Sequence, residues 1–76
     1  MSPKMPSVTS REVVRVALHA GFVYHRQRGS HAVYYRATDG ARIVITVHPG
    51  RTLKPKTLLG ILDDMGLTTD QFRELL

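Results

Sequence analysis

The stretch RQRGSHAVYY, residues 26–35, holds the side chains of this sequence best suited to chemistry. Arg26 and Arg28 lead into Gly29 and Ser30, and His31 follows directly. A histidine near arginines combines a proton acceptor with cations that stabilise negative charge. RNA suits such a site because its 2′-hydroxyl is a built-in nucleophile. One interpretation is therefore that His31 is an acid–base residue for RNA cleavage, with no metal or cofactor required.

His31 also has an ordinary structural interpretation, in which a histidine at a strand end simply contacts solvent. Histidines at turns are common, and the chemistry of the residues alone slightly favours this second interpretation. The sequence brings no carboxylate beside His31, so a Ser-His-Asp relay is not indicated.

The four histidines do not form a metal-binding pattern. His19 falls near the end of a predicted helix, and His25 falls in a predicted strand where we expect partial burial. Neither has ligand spacing with His31 or His48, and cysteine is absent. We therefore expect no metal site.

The net charge is +5, and the cations are concentrated in the middle of the chain. Between Phe22 and Lys56 only Asp39 opposes seven basic residues, the basic stripe: Arg26, Arg28, Arg36, Arg42, Arg51, Lys54 and Lys56. This asymmetry favours a polyanionic partner, with nucleic acid first, over a basic surface that only keeps the protein soluble. The residues that we predict to contact RNA are Arg26, Arg28, Ser30, Arg51, Lys54 and Lys56.

The elements that must position these residues form one domain. Residues 1–8 are predicted to be an irregular N-terminal arm and residues 9–76 a single domain. Capping boxes at residues 9–12 and 68–71 predict helix starts, and Pro55 fits the first turn of another helix. Gly21 and Gly66 are expected to end the first two helices.

Three strands are predicted between the first two helices, over residues 22–28, 31–37 and 42–47. Gly29-Ser30 and Asp39-Gly40 supply the turns. The order α-β-β-β-α, with a short further helix, predicts an α+β fold in which both main helices cover one face of an antiparallel three-stranded sheet.

Alternation along the strands predicts which residues lie on each face. If Asp39-Gly40 is a two-residue turn, Thr38 pairs with Ala41 and His31 lies opposite His48. The less apolar set is expected on the open face, away from the helices: His31, Val33, Tyr35, Val44, Thr46 and His48. Arg26 and Arg28 join it, although the same count turns Phe22 and Tyr24 outward unless a bulge intervenes.

The segments GFVYHRQRGSHAVYY and IVITVHPGRTLKPKTLLGIL resemble the HicA family of toxin mRNA interferases. The Gly-Ser-His motif, the downstream His-Pro-Gly and the Leu-Lys-Pro segment carry the resemblance, which extends over nearly the whole chain. Two departures are Thr46, where a proline is common in the family, and Lys56, where many relatives have glycine.

The resemblance implies a fold like the double-stranded-RNA-binding domain and ribosome-independent cleavage of mRNA. It also implies neutralisation by a HicB-type antitoxin and assigns the catalytic role to the motif histidine, here His31. The role of His48 stays open between general acid, RNA contact and structural turn residue, and only its predicted pairing with His31 favours an auxiliary role. The alternative function is a non-catalytic RNA-binding module that uses the basic N-terminus of the second helix.

A cytosolic protein is expected, with no membrane partner. No apolar run approaches the roughly 20 residues that a membrane-spanning helix needs. The first seven residues, MSPKMPS, lack the apolar region of a signal peptide.

Overall fold

The computed structural model describes residues 6–76. Its strands form one antiparallel sheet in the order β1-β2-β3. The α+β class and the α-β-β-β-α order with a short C-terminal helix are confirmed, as expected for a domain of the double-stranded-RNA-binding type. The elements are α1 (Ser10–His19), β1 (Val23–Arg28), β2 (His31–Arg36), β3 (Ala41–Thr46), α2 (Pro55–Met65) and α3 (Thr69–Leu75).

The helix ends are set by local chemistry that the sequence displays. Thr9 and Glu12 form a complete capping box before α1, and Thr68 and Gln71 form another before α3. α2 begins with Pro55 and ends at Gly66, whose φ of 75° is the left-handed conformation that glycine adopts most readily. None of the helices within residues 6–76 has the length and hydropathy to cross a bilayer.

One face of the sheet packs against α1 and α2 and forms the core with them. The sheet contributes four buried residues: Ala32, Tyr34, Ile43 and Ile45. Val8 is also only 1% exposed, although it lies in the predicted N-terminal arm. Its carbonyl accepts a hydrogen bond from the Leu53 amide at 2.8 Å, and Thr9 bridges to Thr52. The start of the domain is thereby joined to the loop before α2.

The register predicted for the β2–β3 hairpin is wrong by two residues. Arg36, not Thr38, pairs with Ala41, so residues 37–40 form a longer connection. Asp39 explains the longer turn, because its carboxylate accepts hydrogen bonds from the Arg36 guanidinium at 3.0 and 2.8 Å and from the Ala41 amide at 3.2 Å. His31 therefore lies opposite Thr46, and the predicted pairing with His48 is incorrect.

The two-residue shift leaves the predicted faces intact, because the side chains of a strand alternate with a period of two. The residues predicted to face the helices were Ala32, Tyr34, Ile43, Ile45 and Val47. All are buried except Val47, which is half-buried and follows the end of β3. Those predicted for the open face are exposed or half-buried.

The β1–β2 hairpin has the predicted two-residue turn, with Arg28 paired to His31 across Gly29-Ser30. A bulge lies between Tyr24 and Arg26, so His25 is the extra residue. This irregularity resolves the conflict in the predicted alternation, because Tyr24 turns to the helix side and meets the ring of Tyr34 edge-on at 5.8 Å. His25 is exposed, so its expected partial burial is wrong.

Arg36 is part of the predicted basic stripe, but it has a structural position. Its side chain is 19% exposed and lies over the ring of Phe22, with 4.4 Å from Cζ to the ring centroid. Nη1 donates to the Ala20 carbonyl at 3.0 Å, and Nη2 donates to the Met65 carbonyl at 3.2 Å. One guanidinium thus binds the C-terminal ends of α1 and α2, where a cation is favourable.

Candidate nucleic-acid interface

The open face of the sheet carries three cross-strand rows of side chains. Antiparallel pairing places one residue from each strand in every row. The rows are Arg28–His31–Thr46, then Arg26–Val33–Val44, then Val23–Tyr35–Arg42. Each row therefore contains one arginine, which makes the face cationic along its whole length.

His31 is the first residue of β2 and follows the tight turn directly. Its side chain is exposed, and its cross-strand neighbours Arg28 and Thr46 each lie about 5 Å away, measured between Cα atoms, as antiparallel pairing requires. The Val47 amide donates to the Ser30 carbonyl at 2.7 Å, which extends the pairing beyond the turn. The imidazole is thus held on a rigid hairpin, between a cation and a hydroxyl, and remains accessible to a ligand.

A cleft of about 410 Å³ extends from Thr46 toward the beginning of α2. Its walls contain three of the predicted site residues, His48, Arg51 and Lys54. The complete lining is Thr46, His48, Arg51, Thr52, Leu53, Lys54 and Thr57. Because Thr46 is the cross-strand neighbour of His31, this cationic cleft adjoins the histidine.

The cleft also contains the N-terminus of α2. Lys54 is the N-cap residue and makes no side-chain capping bond, and the first turn of α2 has no acidic residue. Open backbone amides and the helix dipole at such an end favour an anion, and the basic side chains nearby strengthen that preference. The cleft is electrostatically suited to a phosphate group.

The remaining predicted contacts lie around this centre. Arg26 and Arg28 are exposed on β1, Ser30 is half-buried in the turn, and Lys56 is exposed in the first turn of α2 outside the cleft lining. The structure therefore brings His31, Arg28 and the cleft together, whereas Arg26 and Lys56 lie at the margins.

Sequence reasoning did not select three residues of this surface, Thr46, Thr57 and Arg42. Thr46 and Thr57 place hydroxyl groups in the cleft, and Arg42 supplies the cation of the third row. The alternation of β3 did place Thr46 on the open face, which was the available signal. Within residues 6–76 no three histidine, aspartate or glutamate side chains come close enough to form a metal site.

These features define a small basic α+β domain with an exposed histidine on the open face of its sheet and a cationic cleft between the end of β3 and the start of α2. The sequence profile of the family described as HicA toxin of bacterial toxin–antitoxin systems matches residues 10–67. The chain therefore belongs to the HicA toxin family and is a toxin of a toxin–antitoxin system. Comparison with curated proteins gave no match.

Proposed function

We propose that this toxin is an endoribonuclease that cleaves mRNA in the cytoplasm, with His31 as its acid–base residue. The observation that carries the proposal is the position of His31, exposed between Arg28 and Thr46 at the edge of the cationic cleft. A proton acceptor beside groups suited to hold a phosphate supports the proposal, because cleavage of an RNA backbone requires both.

The proposed reaction is an attack within the RNA itself. His31 accepts the proton of a 2′-hydroxyl, the 2′-oxygen bonds to the adjacent phosphorus, and the bond from phosphorus to the 5′-oxygen breaks. The departing 5′-oxygen takes a proton from solvent, to which His31 returns the proton that it accepted, and the products are a 2′,3′-cyclic phosphate and a 5′-hydroxyl. Arg28 and the cations of the cleft stabilise the charge that develops on the phosphate. His48, in the cleft wall, is the proposed auxiliary residue.

The alternative is a non-catalytic RNA-binding module, which the cationic N-terminus of α2 would also serve. Incubation of the purified protein with a long RNA in EDTA separates the two functions. We expect cleavage into fragments with cyclic phosphate ends. Retention of intact RNA without cleavage would support the binding module instead.

Lys54 and Lys56 are expected to contribute directly to the salt dependence of RNA binding. Each phosphate contact to a single strand adds roughly 0.7 to the slope of log affinity against log salt concentration. Replacing both lysines by alanine should weaken binding and flatten this slope by about 1.4 if each makes one contact. Filter-binding titrations at several salt concentrations measure both quantities.

Arg11 and Arg15 provide the matched control, because both are exposed cations on α1, a different helix, and neither lines the cleft. The double alanine variant of these arginines loses the same formal charge and should retain the slope. An equal loss from both double variants would show that total charge, rather than the cleft, determines binding.

We further propose that a HicB-type antitoxin covers the open face. The face offers arginine side chains together with exposed apolar groups such as Val23 and Val44. A protein that presents carboxylates around an apolar centre complements it and excludes RNA from His31. Protection of the face from hydrogen exchange in the complex, together with loss of cleavage, is expected. A complex that leaves the face exposed and still cuts RNA would contradict this mechanism.

A further inference from the structure

We infer that Tyr35 is a base-stacking residue, which holds an unpaired nucleobase of the RNA and sets its position relative to His31. The inference rests on the proposed function, because it takes single-stranded RNA as the ligand of the open face. It assigns a specific contact to a residue that neither the Gly-Ser-His motif nor the basic stripe includes.

Tyr35 differs from Tyr34, its neighbour in β2, because its aromatic ring lies on the open face of the sheet. Tyr34 is buried against the helices, whereas Tyr35 is 39% exposed and lies on the face that the helices leave uncovered. Val23 and Arg42 flank it in the third row. The ring therefore lies between two paired strands and is open to a ligand.

The distance between Tyr35 and His31 fits a chain that crosses the face along β2. The two residues lie four positions apart on the same strand, so their Cα atoms are about 13 Å apart at roughly 3.3 Å per residue. The intervening row carries Val33 and Val44, and Val44 is 45% exposed. These small apolar side chains form the surface of the sheet between the histidine and the aromatic ring.

The arginines of the open face flank this row of valines on both sides of β2. Arg28 and Arg26 lie on β1, about 7 Å apart along the strand, and Arg42 lies one row further, on β3. Phosphates of an extended strand can thus meet an arginine at each row while a base lies on the ring. An aromatic ring beside a track of cations is the arrangement by which proteins hold single-stranded nucleic acid.

The test measures RNA binding in proteins that carry His31→Ala, so that cleavage does not interfere. The probe is a synthetic single-stranded RNA with one 5-iodouridine, moved through successive positions. In this background Tyr35→Leu should weaken binding by about 5- to 100-fold, since stacking on an aromatic side chain is a large part of single-strand affinity. Tyr35→Phe should bind like the parent. Irradiation should cross-link the probe to Tyr35, as mapped by mass spectrometry.

Tyr24→Leu is the matched control. Tyr24 is 55% exposed, more than Tyr35, but it lies on the helix side of the sheet. We expect its replacement to leave RNA affinity unchanged. Melting curves of all variants verify that each one is folded.

Two results would overturn the inference while leaving the proposed function in place. In the first, Tyr35→Leu binds RNA as tightly as its parent while the protein with His31 intact cleaves RNA. In the second, Tyr35→Leu cleaves normally but escapes neutralisation by a protein inhibitor, which would assign Tyr35 to protein docking. Failure of the unmodified protein to bind or cleave any RNA would instead overturn the proposed function, and the inference with it.

Discussion

Replacing His31 by alanine is expected to lower RNA cleavage by about 10²- to 10⁴-fold, the usual contribution of an acid–base residue. The fold should be unaffected, because His31 is exposed and surface substitutions usually change the free energy of unfolding by no more than about 0.5 kcal/mol. The variant should therefore bind RNA and antitoxin but fail to arrest growth. Cleavage rates and melting curves of the two proteins test this directly.

His19→Ala is a suitable control, since it removes another exposed histidine from the end of α1. It should cleave RNA at the parental rate. Full cleavage by His31→Ala would exclude His31 from catalysis. Loss of activity accompanied by a collapsed melting transition would give His31 a structural role. The same pair of measurements on His48→Ala determines whether His48 takes part in the reaction.

The second large effect is expected on stability, from Arg36→Ala. This substitution removes hydrogen bonds to the carbonyls of Ala20 and Met65, the ion pair with Asp39 and the contact with the Phe22 ring. Loss of a partly buried charged network of this kind lowers the free energy of unfolding by about 2–4 kcal/mol. In a domain of this size the melting temperature should fall by roughly 10–25 °C. Thermal or urea denaturation followed by circular dichroism measures the loss.

Arg42→Ala provides a control that removes the same side chain from an exposed position on the neighbouring strand. Its stability should stay within about 0.5 kcal/mol of the parent. Arg36→Lys should recover only part of the loss, because an ammonium group cannot reproduce the planar fork that reaches two helix ends and a carboxylate. Equal stability of the Arg36 and Arg42 variants would contradict the structural role of Arg36.

The pH dependence of stability distinguishes the contribution of the Arg36–Asp39 ion pair from that of the hydrogen bonds between Arg36 and the helix ends. The Arg36 guanidinium lowers the pKa of Asp39 from 3.8 to about 2. A carboxyl group with a lowered pKa stabilises the fold above its ordinary pKa and loses that contribution as the pH falls toward about 2. Asp39→Asn should therefore be less stable than the parent at neutral pH, with a difference that shrinks on acidification. The contacts of Arg36 with Ala20 and Met65 do not titrate in this range.

The structural role of Arg36 could be predicted only in part from the sequence. In a list of basic residues it resembles its neighbours, and charge counting included it in the basic stripe. Its position in β2, two residues after Tyr34 and four after Ala32, puts it on the helix-facing side of the strand. The alternation therefore contained the correct placement. The partners of the guanidinium did not follow from it, because Ala20 and Met65 come within reach of Arg36 only in the packed domain.

The local features of the fold were predictable because they depend on nearby residues. The capping boxes at Thr9 and Thr68, Pro55 at the start of α2 and the Gly66 terminus were all visible in the sequence. The length of the β2–β3 turn was not, because the side chain of Asp39 bonds to Arg36 and changes what Asp39-Gly40 alone favours. The predicted pairing was wrong by two residues, which is an even number. Side chains alternate with a period of two, so the prediction that His31 faces outward remained correct.

The site was only partly predictable for a similar reason. The sequence drew attention to His31, Arg51 and Lys54. The cleft that Arg51 and Lys54 line next to Thr46, the neighbour of His31, depends on how the loop before α2 folds back. The separation between this loop and Thr46 is set by the packing of the whole domain. The periodicity of the sequence therefore predicts on which face of the sheet a strand residue lies. Which residues become neighbours across the cleft is determined by tertiary packing.

The junction of Val8 and Thr9 with Thr52 and Leu53 has a consequence for how the toxin is made. Segments so distant in sequence are brought together only after the intervening sheet has formed, since the entropy of closing a long loop opposes earlier contact. On the ribosome, the loop that holds Arg51 and Lys54 thus reaches its final shape late, when nearly the whole chain has emerged. The cleft beside Thr46 is consequently absent from most of the growing polypeptide.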